Sequence, residues 1–186
     1  RRVMIAVFIF TLFSLSKFNK NKVKMKTAII TLLAFTMMTA FTGDKKFPAA
    51  SVKTLDGKTV NVQDYIGKGN PVIVSFWASW CSPCKRELDA MTEIFPEWKE
   101  NYKVELLAIT IDDSRGLAKV PGIVTSKSWP FTVLADTKQE LQQSLGFQTV
   151  PETFLLDGAG NIVYTHSGYN AGDEFELEEK IKELKK

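Results

Sequence analysis

The chain has 186 residues, with 24 lysines and arginines against 21 acids, one histidine and two cysteines. Its formal net charge of +3 misrepresents the body: 7 basic residues and no acid precede residue 44, so residues 44–186 carry 17 basic and 21 acidic groups, net −4. A mildly acidic body of about 140 residues suits one domain with one core and excludes a basic nucleic-acid-binding surface.

The N-terminal part reads as an export segment. Val3 to Leu15 is an apolar run of 13 residues, Lys17 to Lys26 holds five lysines, and Thr27 to Thr42 is a second apolar run of 16. Basic residues followed by a short apolar stretch are the pattern of a secretory signal, and the cleanest version starts at Met25. Residues 1–43 are therefore expected to be an upstream extension plus signal. Neither run reaches the roughly 20 residues of a comfortable membrane span. The small-residue cleavage signal at Ala40 to Gly43 is loose, so an uncleaved tether is the alternative. Either way, residues 44–186 are expected to fold outside the cytoplasm, in the periplasm or an equivalent compartment.

The body then alternates. Ser51–Thr54 and Thr59–Val62, joined by Leu55-Asp56-Gly57-Lys58, predict a hairpin. Val72–Ala78 is nearly all apolar, as a central strand covered on both faces should be, and Val104–Ile111 and Phe131–Ala135 are further strands. Thr153–Leu156 and Ile162–Thr165 flank Asp157-Gly158-Ala159-Gly160 and predict a closing antiparallel hairpin. Helices are expected at Ser82 to about Glu100, Ser114–Lys127, Lys138–Leu145 and Glu174–Lys185. Pro121-Gly122 should interrupt the second, and Pro96 should bend the first. The pattern gives an α/β fold: a mixed central sheet flanked by helices.

The chemistry concentrates at Cys81-Ser82-Pro83-Cys84, where that central strand meets the first helix. Cysteines at i and i+3 in a first helical turn face one way, so their sulfurs can bridge. Unpaired N–H groups at the helix start favour a thiolate there, which makes Cys81 the nucleophile and Cys84 the resolving thiol. Pro83 fits a first turn, where its missing N–H has no intrahelical partner anyway. Two Cys and one His fall short of a zinc site, and Lys85 stands where haem attachment needs His. A purely structural bridge closing so short a loop would constrain the unfolded chain little. No metal and no cofactor is therefore expected.

On a helical wheel Glu87 falls among Leu88, Met91, Phe95 and Trp98, one turn from Cys84. Burial there would raise its pKa and suit it to exchange a proton with the resolving thiol; a rim position paired with a lysine is the other reading. His166, the sole histidine, lies far in sequence from the cysteines and reads as structural or exposed. Trp77, Trp98 and Trp129 read as packing residues, and Trp80 as a lining of the docking surface.

Phe76-Trp77-Ala78-Ser79-Trp80-Cys81-Ser82-Pro83-Cys84 and Val150-Pro151-Glu152-Thr153-Phe154 resemble the signature and the cis-proline segment of the thioredoxin superfamily. More narrowly, residues 47–186 resemble its exported TlpA/ResA/DsbE-type thiol–disulfide oxidoreductases, some of which serve cytochrome c maturation. The resemblance implies a thioredoxin-like fold with an N-terminal β-hairpin and a helical insertion at residues 111–127. It implies a cis Pro151 against the cysteines, with Val150 offering its backbone to an extended substrate, and it matches Glu87 to the family's active-site glutamate. Plain thioredoxins carry a buried Asp where this chain has Ser75, and the family's proline two residues after the glutamate is here Asp89.

The expected activity is reduction of disulfides in exported proteins, apocytochrome c among the candidates, by a monomer recharged by a membrane thiol-electron donor. A disulfide-forming oxidant is the alternative within the class, and a non-catalytic binding module the alternative outside it. Val74 and Ala78 stand where peroxidase chemistry wants Pro and Thr or Ser, which weighs against a peroxidase.

Overall fold

The computed structural model describes residues 45–185, and the expected export segment, residues 1–43, lies outside them. The strands are β1 Lys45–Lys46, β2 Ser51–Thr54, β3 Thr59–Asn61, β4 Val72–Trp77, β5 Glu105–Thr110, β6 Thr132–Ala135, β7 Glu152–Leu156 and β8 Asn161–Ser167. The helices are α1 Ser82–Tyr102, α2 Ser114–Leu117, α3 Val120–Lys127, α4 Glu140–Leu145 and α5 Asp173–Glu183.

All eight strands join one mixed sheet in the order β1-β8-β7-β4-β5-β6-β2-β3. Every residue of β4 is buried, which explains why its sequence is an unbroken apolar run save for Ser75. β4 runs parallel to β5 and antiparallel to β7, with Phe76 opposite Glu152. The last residues of β4 therefore lie beside the first residues of β7. That register brings the segment after β4, which carries the cysteines, to the segment before β7, which carries Pro151. α1 packs on β4 and on α5, and α5 also packs on β7.

α1 begins with Pro83 in its first turn and runs through Pro96 to Lys103, whose left-handed conformation (φ 58°) ends it. The helix expected at 114–127, with its interruption at Pro121-Gly122, is two: α2 stops at Leu117 and α3 restarts at Val120 with Pro121 in its first turn. Pro121 has no N–H for the carbonyl four residues back, so the only helical place open to it is the start of a new helix. β1 was not legible, because two exposed lysines carry no apolar alternation. They pair with Ile162 and Asn161 at the sheet edge. Val62 ends the first hairpin by starting a 3₁₀ turn capped by Asn61 rather than by extending the strand. In the closing hairpin, the Asp157 carboxylate accepts from Ala159 N and Asn161 N, and Gly160 takes a positive φ of 85°.

Candidate active site

Cys81 leaves β4 in extended conformation and forms the N-cap of α1, with its Sγ accepting from Cys84 N at 3.2 Å. The two cysteines are bridged, with Cα atoms 5.4 Å apart. Cys84 is fully buried, whereas Cys81 keeps 4% of its surface open. A partner arriving from solvent therefore meets Cys81 first.

The loop ahead of Cys81 is clamped from one side by Asp112. This buried carboxylate accepts from Ser79 N at 2.7 Å and Ser79 Oγ at 2.8 Å, and also from Thr110 Oγ1. Lys85 reaches back to donate to the Ser79 carbonyl at 2.9 Å. Trp80 is held at the tip with 69% of its surface exposed. Beside it opens a cleft of about 440 Å³ whose far wall, Asp113, Gly116, Lys119 and Ile123, comes from the β5–β6 insertion.

On the other side stands the Val150–Pro151 segment. Its peptide bond is cis, and the Val150 carbonyl oxygen lies 3.7 Å from Cys81 Sγ. Pro151 is buried and its carbonyl accepts from Gly168 N at 2.9 Å, while Val150 is half-buried.

One helical turn on from Cys84 lies Glu87, only 3% exposed. Its carboxylate accepts from Thr153 Oγ1 at 2.8 Å and Ser75 Oγ at 3.2 Å. Burial pushes its pKa up to about 7, against the pull of those two hydroxyls. Of the two sequence readings of this residue, the core-facing one describes its position. Ser75 and Thr153 were not foreseen as its partners. Their signal was faint: each is a small hydroxyl residue in a strand whose neighbours are apolar, Ser75 on β4 and Thr153 on β7.

Asp89, in place of the family's proline, ties α1 to the insertion. It accepts from Lys127 Nζ at 2.6 Å and from Trp129 Nε1 at 3.0 Å. Trp129 in turn stacks on Phe131 and meets Trp77 edge-on, so these tryptophans are core, as is Trp98. His166 is half-buried on β8 directly opposite Thr153, and bonds Asp173. Its distance in sequence from the cysteines thus hides a position next to Glu87's partner.

A model of the AhpC/TSA family matches residues 44–165. A thiol-disulfide oxidoreductase ResA of Bacillus thuringiensis subsp. konkukian is 31% identical over 140 residues, covering 75% of this chain and 77% of that protein. A thiol:disulfide interchange protein DsbE homolog of Paracoccus denitrificans is 30% identical over 125 residues, 67% of this chain and 65% of that one. Among solved structures, an uncharacterized thioredoxin-like protein from Porphyromonas gingivalis superposes with a TM-score of 0.67 at 38% identity, covering 74% of this chain and 90% of that one. The chain belongs to the AhpC/TSA family, among its thioredoxin-fold thiol–disulfide oxidoreductases.

Proposed function

We propose that this chain reduces disulfides in exported proteins, with Cys81 as nucleophile, Cys84 as resolving thiol and Glu87 as the group that takes the Cys84 proton. The observation that carries the reading is the combination of three features. An accessible sulfur lies 3.7 Å from the Val150 carbonyl, a buried sulfur is bridged to it, and a carboxylate with a pKa near 7 is buried one helical turn further on.

In the dithiol state, Cys81 Sγ sits where the Cys84 N–H already points at it, at the start of α1, and both favour the thiolate. That thiolate attacks a substrate disulfide and one substrate sulfur leaves as thiolate. Glu87 then accepts the Cys84 proton, and Cys84 displaces the second substrate sulfur to restore the bridge. Trp80 and the backbone of Val150, ahead of Pro151, hold the substrate, which adds as a short extended strand. The basic-then-apolar pattern of residues 1–43 supports export or tethering of the 44–186 domain, and electrons then come from a thiol donor at the membrane. Apocytochrome c is one substrate of the expected kind.

The reduction potential of the Cys81–Cys84 couple, by equilibration with glutathione or dithiothreitol, tests the direction. A value near about −270 mV supports a reductant, and one near about −120 mV makes the protein an oxidant that introduces disulfides.

A further inference from the structure

Glu87 also lines a narrow cleft to which neither cysteine contributes. Glu87, Thr153, Tyr164, His166, Tyr169 and Asp173 line it, with Glu174 at the rim. Its volume of about 10 Å³ is at the lower limit for one water molecule, and Met91 and Leu177 complete the lining. The three acid–base groups in it come from different elements: Glu87 from α1, His166 from β8 and Asp173 from α5. β8 places His166 opposite Thr153, whose hydroxyl donates to Glu87. Asp173 fixes the imidazole, with its carboxylate 2.9 Å from His166 Nε2. An ionised carboxylate only accepts, so Nε2 carries a proton and Nδ1, 3.4 Å from the Tyr164 hydroxyl, is the atom left to take another.

We propose that His166, held by Asp173, is a positioning residue for the proton on Glu87: it biases the charge of Glu87 and gives its proton a way out to solvent.

This rests on the reading of Glu87 as the acceptor of the Cys84 proton. Reduction of one substrate disulfide consumes one thiolate and one thiol and yields two substrate thiolates, so a single proton is left on Glu87. The disulfide seals the side from which it came, with Cys84 fully buried. The cleft offers an exit: Glu87 to water, water to imidazole, imidazole to bulk. The two phenols that face the cleft stay protonated near neutral pH. Burial, with Glu176 beside it, pushes the Tyr164 phenol up to about 12, and burial with Glu174 raises Tyr169. The charge on the imidazole favours the Glu87 carboxylate and that on Asp173 opposes it. Coupled groups titrate as a set, so a change at either end must be felt at the other.

The test uses the folded protein in its disulfide form, where no thiol titrates. Glu87 is followed by its side-chain carboxyl ¹³C signal and His166 by its ring ¹⁵N signals. In H166Q the Glu87 midpoint is expected to rise by several tenths of a pH unit. In wild type the His166 curve is expected to carry a second inflection at the Glu87 midpoint, which E87Q removes; this arm needs no histidine variant. Single-turnover reduction of a disulfide peptide near pH 7 should slow three- to tenfold in H166Q. An unmoved Glu87 midpoint in H166Q, or a His166 curve without the second inflection, overturns the proposal. If instead E87Q leaves the pH profile of turnover unchanged, the underlying reading of Glu87 fails.

Discussion

At the residue scale the two cysteines divide the work by exposure, since Cys81 is reachable and Cys84 is not. Cys84→Ser should therefore accumulate a mixed disulfide with substrate on Cys81, visible by non-reducing electrophoresis. Cys81→Ser should trap nothing and reduce turnover to background. Glu87 makes a second prediction. Its pKa is about 7, well above the 4.5 of an ordinary glutamate, because burial penalises the charge. The native state thus binds this proton more tightly than the unfolded state does. The resulting stabilisation is complete below about pH 4.5 and is lost as pH rises to about 7, an effect of roughly 3 kcal/mol. Urea denaturation of the disulfide form across that range should show the decline, and Glu87→Gln should flatten it. General acid–base duty is worth roughly 10²–10⁴-fold, so E87Q should slow turnover within that range and erase the inflection near neutral pH.

At the element scale the decisive contact is the clamp between the β5 exit and the loop before α1. Asp112 commits its carboxylate to the backbone and hydroxyl of half-buried Ser79 and to buried Thr110. Asp112→Ala leaves Ser79 N without its partner, which should cost about 1–3 kcal/mol in chemical denaturation. It should also loosen Trp80, readable as a change in tryptophan fluorescence. The clamp was not visible in the sequence, where 33 positions separate Asp112 from Ser79. Only the register of β4 on β5, with Trp77 opposite Thr110, brings residue 112 to residue 79. The interruption of the insertion, by contrast, was legible, because proline's missing N–H is a local property. Its place was not: the break falls before Pro121, where the ring fits a first turn.

At the scale of the whole molecule, one sheet order positions the chemistry. β4 sits between β5 and β7, so the cysteines, the Asp112 clamp and the cis-proline segment converge on one end of the central strand. Redox state and global stability are then linked, since a couple is oxidising when its dithiol form is the stabilised one. For the proposed reductant, the disulfide form should unfold at the higher denaturant concentration. The reverse order in paired guanidinium titrations would mark an oxidant.

The amino-acid sequence alone carried the CxxC at a strand-to-helix junction, the buried central strand and the closing hairpin. Each depends on residues close together in the chain, where periodicity and the spacing of side chains on one turn act directly. Only the tertiary structure decided which hydroxyls meet the Glu87 carboxylate, which acid holds Ser79, and that His166 lies against the site. These contacts span 12 to 66 positions. They arise from strand register, which slides whole rows of side chains past each other and is fixed by packing of the entire sheet rather than by any local run of residues.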